Sequence, residues 1–213
     1  MIILNIGAGK ISPIPYQDGE IINDSDILVN LDKNYFNGTT PDKIEEIHNS
    51  YHYSLNSLSG TKSCTNFYGD IHYCNCDIYN FLENYKYIFD KIIMYRFLEH
   101  VPKAKLLYFL YILSTCIKED GLVDIIVPNY KLLAERILNE DPINDPNFEA
   151  DDIITTFELL NEQYDPHTSV WTKDRAIHFF ELEGRFKIVD VIESFKFDGR
   201  DIYLRFLARR TDG

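Results

Sequence analysis

Residues 89–102 read FDKIIMYRFLEHVP. The stretch completes a segment, Tyr87 to Met94, that predicts a strand, the fourth of the chain. Tyr95-Arg96 ends that strand. A charged side chain at the end of a central strand is costly to place unless it has a partner or faces a ligand cleft. Phe97-Leu98-Glu99-His100-Val101 follows, and Pro102 starts a strongly apolar helix running to Ile117. Proline suits a helix start because the amide it lacks would have no intrahelical partner there. A strand, a polar strand end and a helix make one unit of a parallel α/β repeat.

Matching units lie on both sides. Upstream, Ile2 to Ile6 predicts a first buried strand that closes on Gly7-Ala8-Gly9. Lys10 to Asp24 holds Pro13, Pro15 and Gly19, so it makes a poor helix but is long enough to cross to a parallel neighbour. Ile27 to Leu31 predicts a second strand ending in Asp32. Lys43 to Ser50 has weak helical character, and Leu55 to Tyr68, rich in Ser, Thr, Asn and Gly, reads as loop. Gly69 to Cys76 predicts a third strand ending at Asp77, and Ile78 to Asn84 a brief helix. Downstream, Gly121 reads as the stop of the long helix, and Leu122 to Val127 as a fifth strand closed by Pro128. Tyr130 to Asn139 and Trp171 to Glu183 read as helices, the second stopped by Gly184. Phe186 to Phe195 and Ile202 to Arg209 are β-rich and joined through the turn dipeptide Asp198-Gly199. Residues 140–165 are acidic and broken by Pro142 and Pro146, which predicts a mobile cover.

Composition narrows the class. The 213 residues suit a single domain, 1–213, and 45% hydrophobic residues can fill a sizeable core. The longest apolar run, Leu106 to Leu113, is far short of the roughly 20 residues of a membrane span. No basic region precedes the first apolar stretch, so no signal peptide is expected. Four cysteines occur, and Cys74-Asn75-Cys76 has neither zinc-knuckle nor redox spacing. Reduced cysteines in a cytoplasmic protein are expected, with no metal site. His48 and His52 have no third ligand at zincin spacing. A net charge of −13 repels a phosphate backbone and weighs against nucleic acid without excluding it. Arg205, Arg209 and Arg210 read as solvated ends of the last strand.

In an open α/β sheet the ligand lies beyond the carboxyl ends of the strands, at the switch point. Gly7 and Gly9 would let the backbone turn tightly and approach a ligand. Asp32 is placed to accept both hydroxyls of a ribose. Asp77-Ile78 could accept from an adenine amino group and pack on its ring. Each feature alone has a plain structural explanation: a turn, an N-cap, or an acid such as Glu99 favoured in a helix's first turn. Their succession at consecutive strand ends is more specific.

With these residues together, the chain resembles the class I S-adenosylmethionine-dependent methyltransferases, and DPHTSVWTKDRAIHFFELEGRFKI (165–188) resembles the late helix and sixth strand of small members of bacteriophage type. LNIGAGK (4–10) resembles the family's glycine motif, LVNLDKNYF (28–36) its acidic second strand end, and NCDIYNFL (75–82) its third. FDKIIMYRFLEHVP resembles the fourth strand with the Leu-Glu-His that follows it in many members, and KEDGLVDIIVPNY (118–130) the fifth-strand region. The resemblance implies a Rossmann-like α/β fold. Its sheet would have seven mostly parallel strands, a C-terminal antiparallel hairpin and helices on both faces. It implies S-adenosylmethionine as cofactor and S-adenosylhomocysteine as product. The cofactor would be held by Asn5, Gly7, Ala8, Gly9, Asp32, Lys33, Asp77, Ile78, Tyr95 and Arg96. Asn5 stands where many members carry an acid. His100, His167 and Asp165 are the candidate catalytic groups should the acceptor have to lose a proton. The acceptor is not legible, nor is the oligomeric state. Two rival readings share the sheet: a catalytically silent binding module, and a nicotinamide oxidoreductase, against which stands the missing third glycine.

Overall fold

Strands buried on both faces read as nearly continuous apolar runs, and three such runs form the centre of the sheet in the computed structural model. The structure describes residues 1–7, 27–31, 52–54, 61–66, 69–74, 78–139, 168–197 and 200–211. Five parallel strands make the core: β1 (Ile2–Ile6), β2 (Ile27–Leu31), β5 (Gly69–Cys74), β6 (Phe89–Tyr95) and β7 (Ile117–Pro128). β3 (His52–Ser54) and β4 (Thr61–Asn66) pair antiparallel at one edge. β8 (Phe186–Phe197) and β9 (Arg200–Arg210) pair antiparallel at the other. The order is β3-β4-β5-β2-β1-β6-β7-β9-β8. From β1 the chain builds outward to β2 and β5, then returns to lay β6 on the other side of β1. The switch point therefore lies between β1 and β6.

Residue alternation sends the two sheet faces into different packing. Val123, Ile125 and Val127 of β7 join Leu4, Ile6, Ile92 and Met94 in the main core. Among the described residues three helices cover that face: α1 (Ile78–Asn84), α2 (Leu106–Cys116) and α4 (Lys173–Glu183), through Leu82, Phe109 and Phe180. Ile126 points to the opposite face, where α3 (Tyr130–Leu138) seats Leu133 against Ile202 and Tyr203. Among the described residues no helix is long and apolar enough to cross a membrane.

Several sequence expectations are corrected. The sheet has nine described strands rather than seven: β3 just before the polar stretch read as loop, and β4 within it, paired with β5 from Thr61↔Cys74 to Asn66↔Gly69. Edge strands need little apolar surface, so composition hides them. The fourth strand starts at Phe89, not Tyr87, whose φ of 57° turns the chain left-handed. Gly121 does not stop a helix. α2 ends at Cys116 when Ile117 becomes extended, and Gly121 lies within β7. The register jumps from Phe89↔Ile117 to Lys91↔Leu122, so Lys118 to Gly121 bulge out, with Asp120 at φ 61°. The last long helix begins at Lys173, capped by Thr172, whose hydroxyl accepts from the Arg175 amide at 3.3 Å. Gly184 ends it in the left-handed conformation, φ 86°. Cys116 is a free, buried thiol, pushed by that burial up to about 12. The crossover at Lys10 to Asp24, the helical stretch Lys43 to Ser50, the Asp198-Gly199 turn and the cover at 140–165 lie outside the described residues.

Candidate functional site

At the switch point the ends of β1 and β6 lie side by side, with Ile6 opposite Met94. β1 stays tied to β2 into the turn, where the Gly7 amide donates to Leu31 O at 2.9 Å. Gly7 has φ +72°, and a Cβ on it would lie 2.7 Å from Cδ2 of Phe97. Phe97 cannot yield easily, since its ring rests on Phe109 with centroids 6.0 Å apart. Gly7 thus sits against an aromatic floor, and only glycine fits both the torsion and the space there.

β6 ends at Tyr95, and the next residue, Arg96, is also left-handed at φ 54°. Its amide still pairs with Ile126 O at 2.7 Å, so the ladder with β7 runs through the turn. A non-glycine residue in this region is strained, and such strain concentrates at functional sites. The Arg96 side chain is exposed at the carboxyl edge. Leu98–His100 then form one turn of 3₁₀ helix, with the His100 amide on Phe97 O at 3.0 Å and the His100 side chain half-buried.

Glu99 is the unexpected member. Read from sequence as first-turn decoration, it is 0% exposed, and neither carboxylate oxygen has a hydrogen-bond partner among the described residues. Burial pushes its carboxyl up to about 8; its own amide and the Arg96 charge pull weakly the other way, the amide without forming a full hydrogen bond. The nearby Tyr130 phenol is pushed up as well, by burial first and by Glu99 second. The chain returning at Thr168 is clamped here. The amides of Thr168 and Ser169 donate to Glu99 O at 2.8 and 3.0 Å, and the Ser169 hydroxyl reaches Leu98 O at 3.2 Å. Trp171 Nε1 donates to that hydroxyl at 2.9 Å, and the Tyr130 amide donates to Trp171 O at 3.1 Å. The apolar residues Leu98 and Val101 near it, both buried, are the sequence signal for an inward-facing Glu99.

Tyr95 lies on the α3 side of the sheet. Its hydroxyl donates to Asp124 at 3.1 Å and its ring meets Phe197 edge-on at 5.6 Å. Asp124 is fully buried and held bidentately by Arg205 (3.0 and 2.7 Å), with Lys91 at 3.4 Å. Arg205 is therefore not a solvated strand end, which corrects the sequence reading. Asn5 is buried in β1 between Asn30 of β2 and Ile93 of β6. Ile78 opens α1 shortly after β5 and packs against the main core. The structure thus brings Gly7, Arg96 and His100 to one carboxyl edge. Ala8, Gly9, Asp32, Lys33, Asp77, Asp165 and His167 lie outside the described residues. Within the described residues no cluster of three metal-ligating side chains occurs.

No protein-family model and no curated protein matches the chain. Solved structures do. The 1,6-didemethyltoxoflavin-N1-methyltransferase of Burkholderia thailandensis, with bound 1,6-didemethyltoxoflavin and S-adenosylhomocysteine, aligns over 99% of this chain and 71% of its own at TM-score 0.53 and 13% identity. A SAM-dependent methyltransferase from Methanosarcina mazei aligns over 100% and 93%, at 0.52 and 16%. The methyltransferase CalH, in complex with S-adenosylhomocysteine, aligns over 98% of this chain but 51% of its own, at 0.53 and 14%. The chain has the fold of SAM-dependent methyltransferases. At these identities the likeness is one of fold.

Proposed function

We propose that the protein is an S-adenosylmethionine-dependent methyltransferase. The carrying observation is the switch-point edge, where β1 and β6 lie side by side and are followed by a left-handed Gly7 seated on Phe97 and a strained Arg96. A tight glycine turn at the end of β1 and an arginine just past the end of the neighbouring β6 are residues that suit a nucleoside-linked cofactor, and so the described residues fit the group. Asp32 and Lys33 would hold the ribose side. Asp77 and Ile78 would serve the adenine, and Asn5, Gly7, Ala8, Gly9, Tyr95 and Arg96 the remaining edge. When bound, the cofactor supplies a methyl group made electrophilic by its sulfonium. The chain's own task is alignment, which can be worth several kcal/mol. Where the acceptor must lose a proton, His100, His167 or Asp165 would take it. Residues 140–165 would form the cover through which the acceptor, still unidentified, enters. A cytoplasmic, bacteriophage-type enzyme is the setting this reading favours.

Thermal shift with S-adenosylmethionine, S-adenosylhomocysteine and NAD tests the class. Stabilisation by the first two and not by NAD is expected. Stabilisation by NAD alone would overturn the reading. A screen with a labelled methyl donor then seeks the acceptor, and binding without transfer to any acceptor would favour a silent module.

A further inference from the structure

We infer that the Glu99 carboxyl is a proton-exchanging counter-charge for the proposed cofactor cleft: uncharged when the cleft is empty or holds a neutral thioether, ionised when a sulfonium lies there. The inference rests on the methyltransferase reading and deepens it. Three observations carry it. First, both carboxylate oxygens are buried and lack hydrogen-bond partners among the described residues, a condition native proteins rarely leave unused. Second, Glu99 sits at the switch point, two residues beyond the Phe97 ring that floors the Gly7 turn. Third, it is fixed there. Its backbone carbonyl and that of Leu98 accept from Thr168 and Ser169, so the turn that carries the carboxyl is held in place.

Arg96, just past the end of β6, is the charge that reaches Glu99. Tyr130 faces it from α3, and His100 neighbours it on its own turn. The returning segment Thr168–Trp171 contributes no titratable side chain. Arg96 lowers the carboxyl's pKa too little to offset burial, which leaves it near 8, where a modest added field decides its state. At an effective dielectric of about 20, a unit positive charge within about 8 Å lowers a carboxyl pKa by more than one unit. The sulfonium loses its charge when the methyl group leaves. The proton balance follows: Glu99 gives a proton to solvent when the sulfonium binds and recovers one after transfer. No bond to Glu99 is made or broken besides O–H.

Calorimetry at pH 7.5 in two buffers of different ionisation enthalpy counts the protons. S-adenosylmethionine should release on the order of half a proton per site, and S-adenosylhomocysteine close to none. Glu99→Gln should bind both ligands with equal proton counts. Equal counts in the wild type, or a difference that survives in Glu99→Gln, would overturn the inference while leaving the methyltransferase reading intact. Failure of either ligand to bind would overturn both. Should Glu99→Gln not fold, carboxyl carbon NMR of the wild type decides. A glutamate that titrates near 8 in the free protein should titrate more than one unit lower with the sulfonium than with the thioether, and an equal midpoint would contradict the inference.

Discussion

Gly7 meets two constraints at once, a positive φ and a space closed by Phe97, and they separate by mutation. Gly7→Ala should destabilise by about 2 kcal/mol or more, from the left-handed backbone and the overlap together. In a Phe97→Ala background the overlap is gone, so the same change should cost about 1–2 kcal/mol. Urea unfolding of the four proteins measures this, and an equal cost in both backgrounds would mean the ring does not set the requirement. Glu99 makes a second prediction, on pH. A raised carboxyl keeps in the fold a proton that the unfolded chain has lost. Stability should therefore fall as pH rises from about 4.5 to about 8, then level off. The slope from this group is at most about 1.4 kcal/mol per pH unit. Glu99→Gln should flatten that window and be the more stable protein at pH 8. Identical pH profiles for the two proteins would contradict the assignment.

The elements owe their order to contacts of unequal weight. Asp124 joins β6, β7 and β9 through Lys91, Tyr95 and Arg205, all around one fully buried carboxylate. Asp124→Asn strands the cations and should cost about 3–5 kcal/mol by denaturant unfolding. Lys173 and Glu193 also pair, at 3.1 Å, but both are exposed, so Lys173→Ala should cost under about 1 kcal/mol. Comparable losses would show that the buried cluster is not the clasp of this edge. The parallel strands were legible because burial on both faces demands continuous apolar runs, as in Ile2 to Ile6. β4 was not, since Thr61–Asn66 is polar and its pairing with β5 leaves no apolar pattern in the sequence. Gly121 misled because the left-handed turn falls one residue earlier, on Asp120, within a bulge that local composition does not reveal. Glu99 misled because a glutamate's burial is decided by the chain returning from residue 168, far away in sequence.

At the scale of the molecule, five parallel strands place the ends of β1 and β6 at one switch point, and the sequence had already loaded those ends with Gly7 and Arg96. The glycine turn was readable because its torsional need is local. The aromatic floor beneath it was not, since Phe97 reaches Gly7 only through the sheet register. The proposed function requires that the acid after β2 complete the same cleft. Titration calorimetry of S-adenosylhomocysteine against the wild type and Asp32→Ala tests this most directly. Saturable binding to the wild type is expected, weakened by about 1–3 kcal/mol in Asp32→Ala through lost charge-assisted hydrogen bonds to the ribose. No saturable binding to the wild type, or equal affinity in the two proteins, would contradict it.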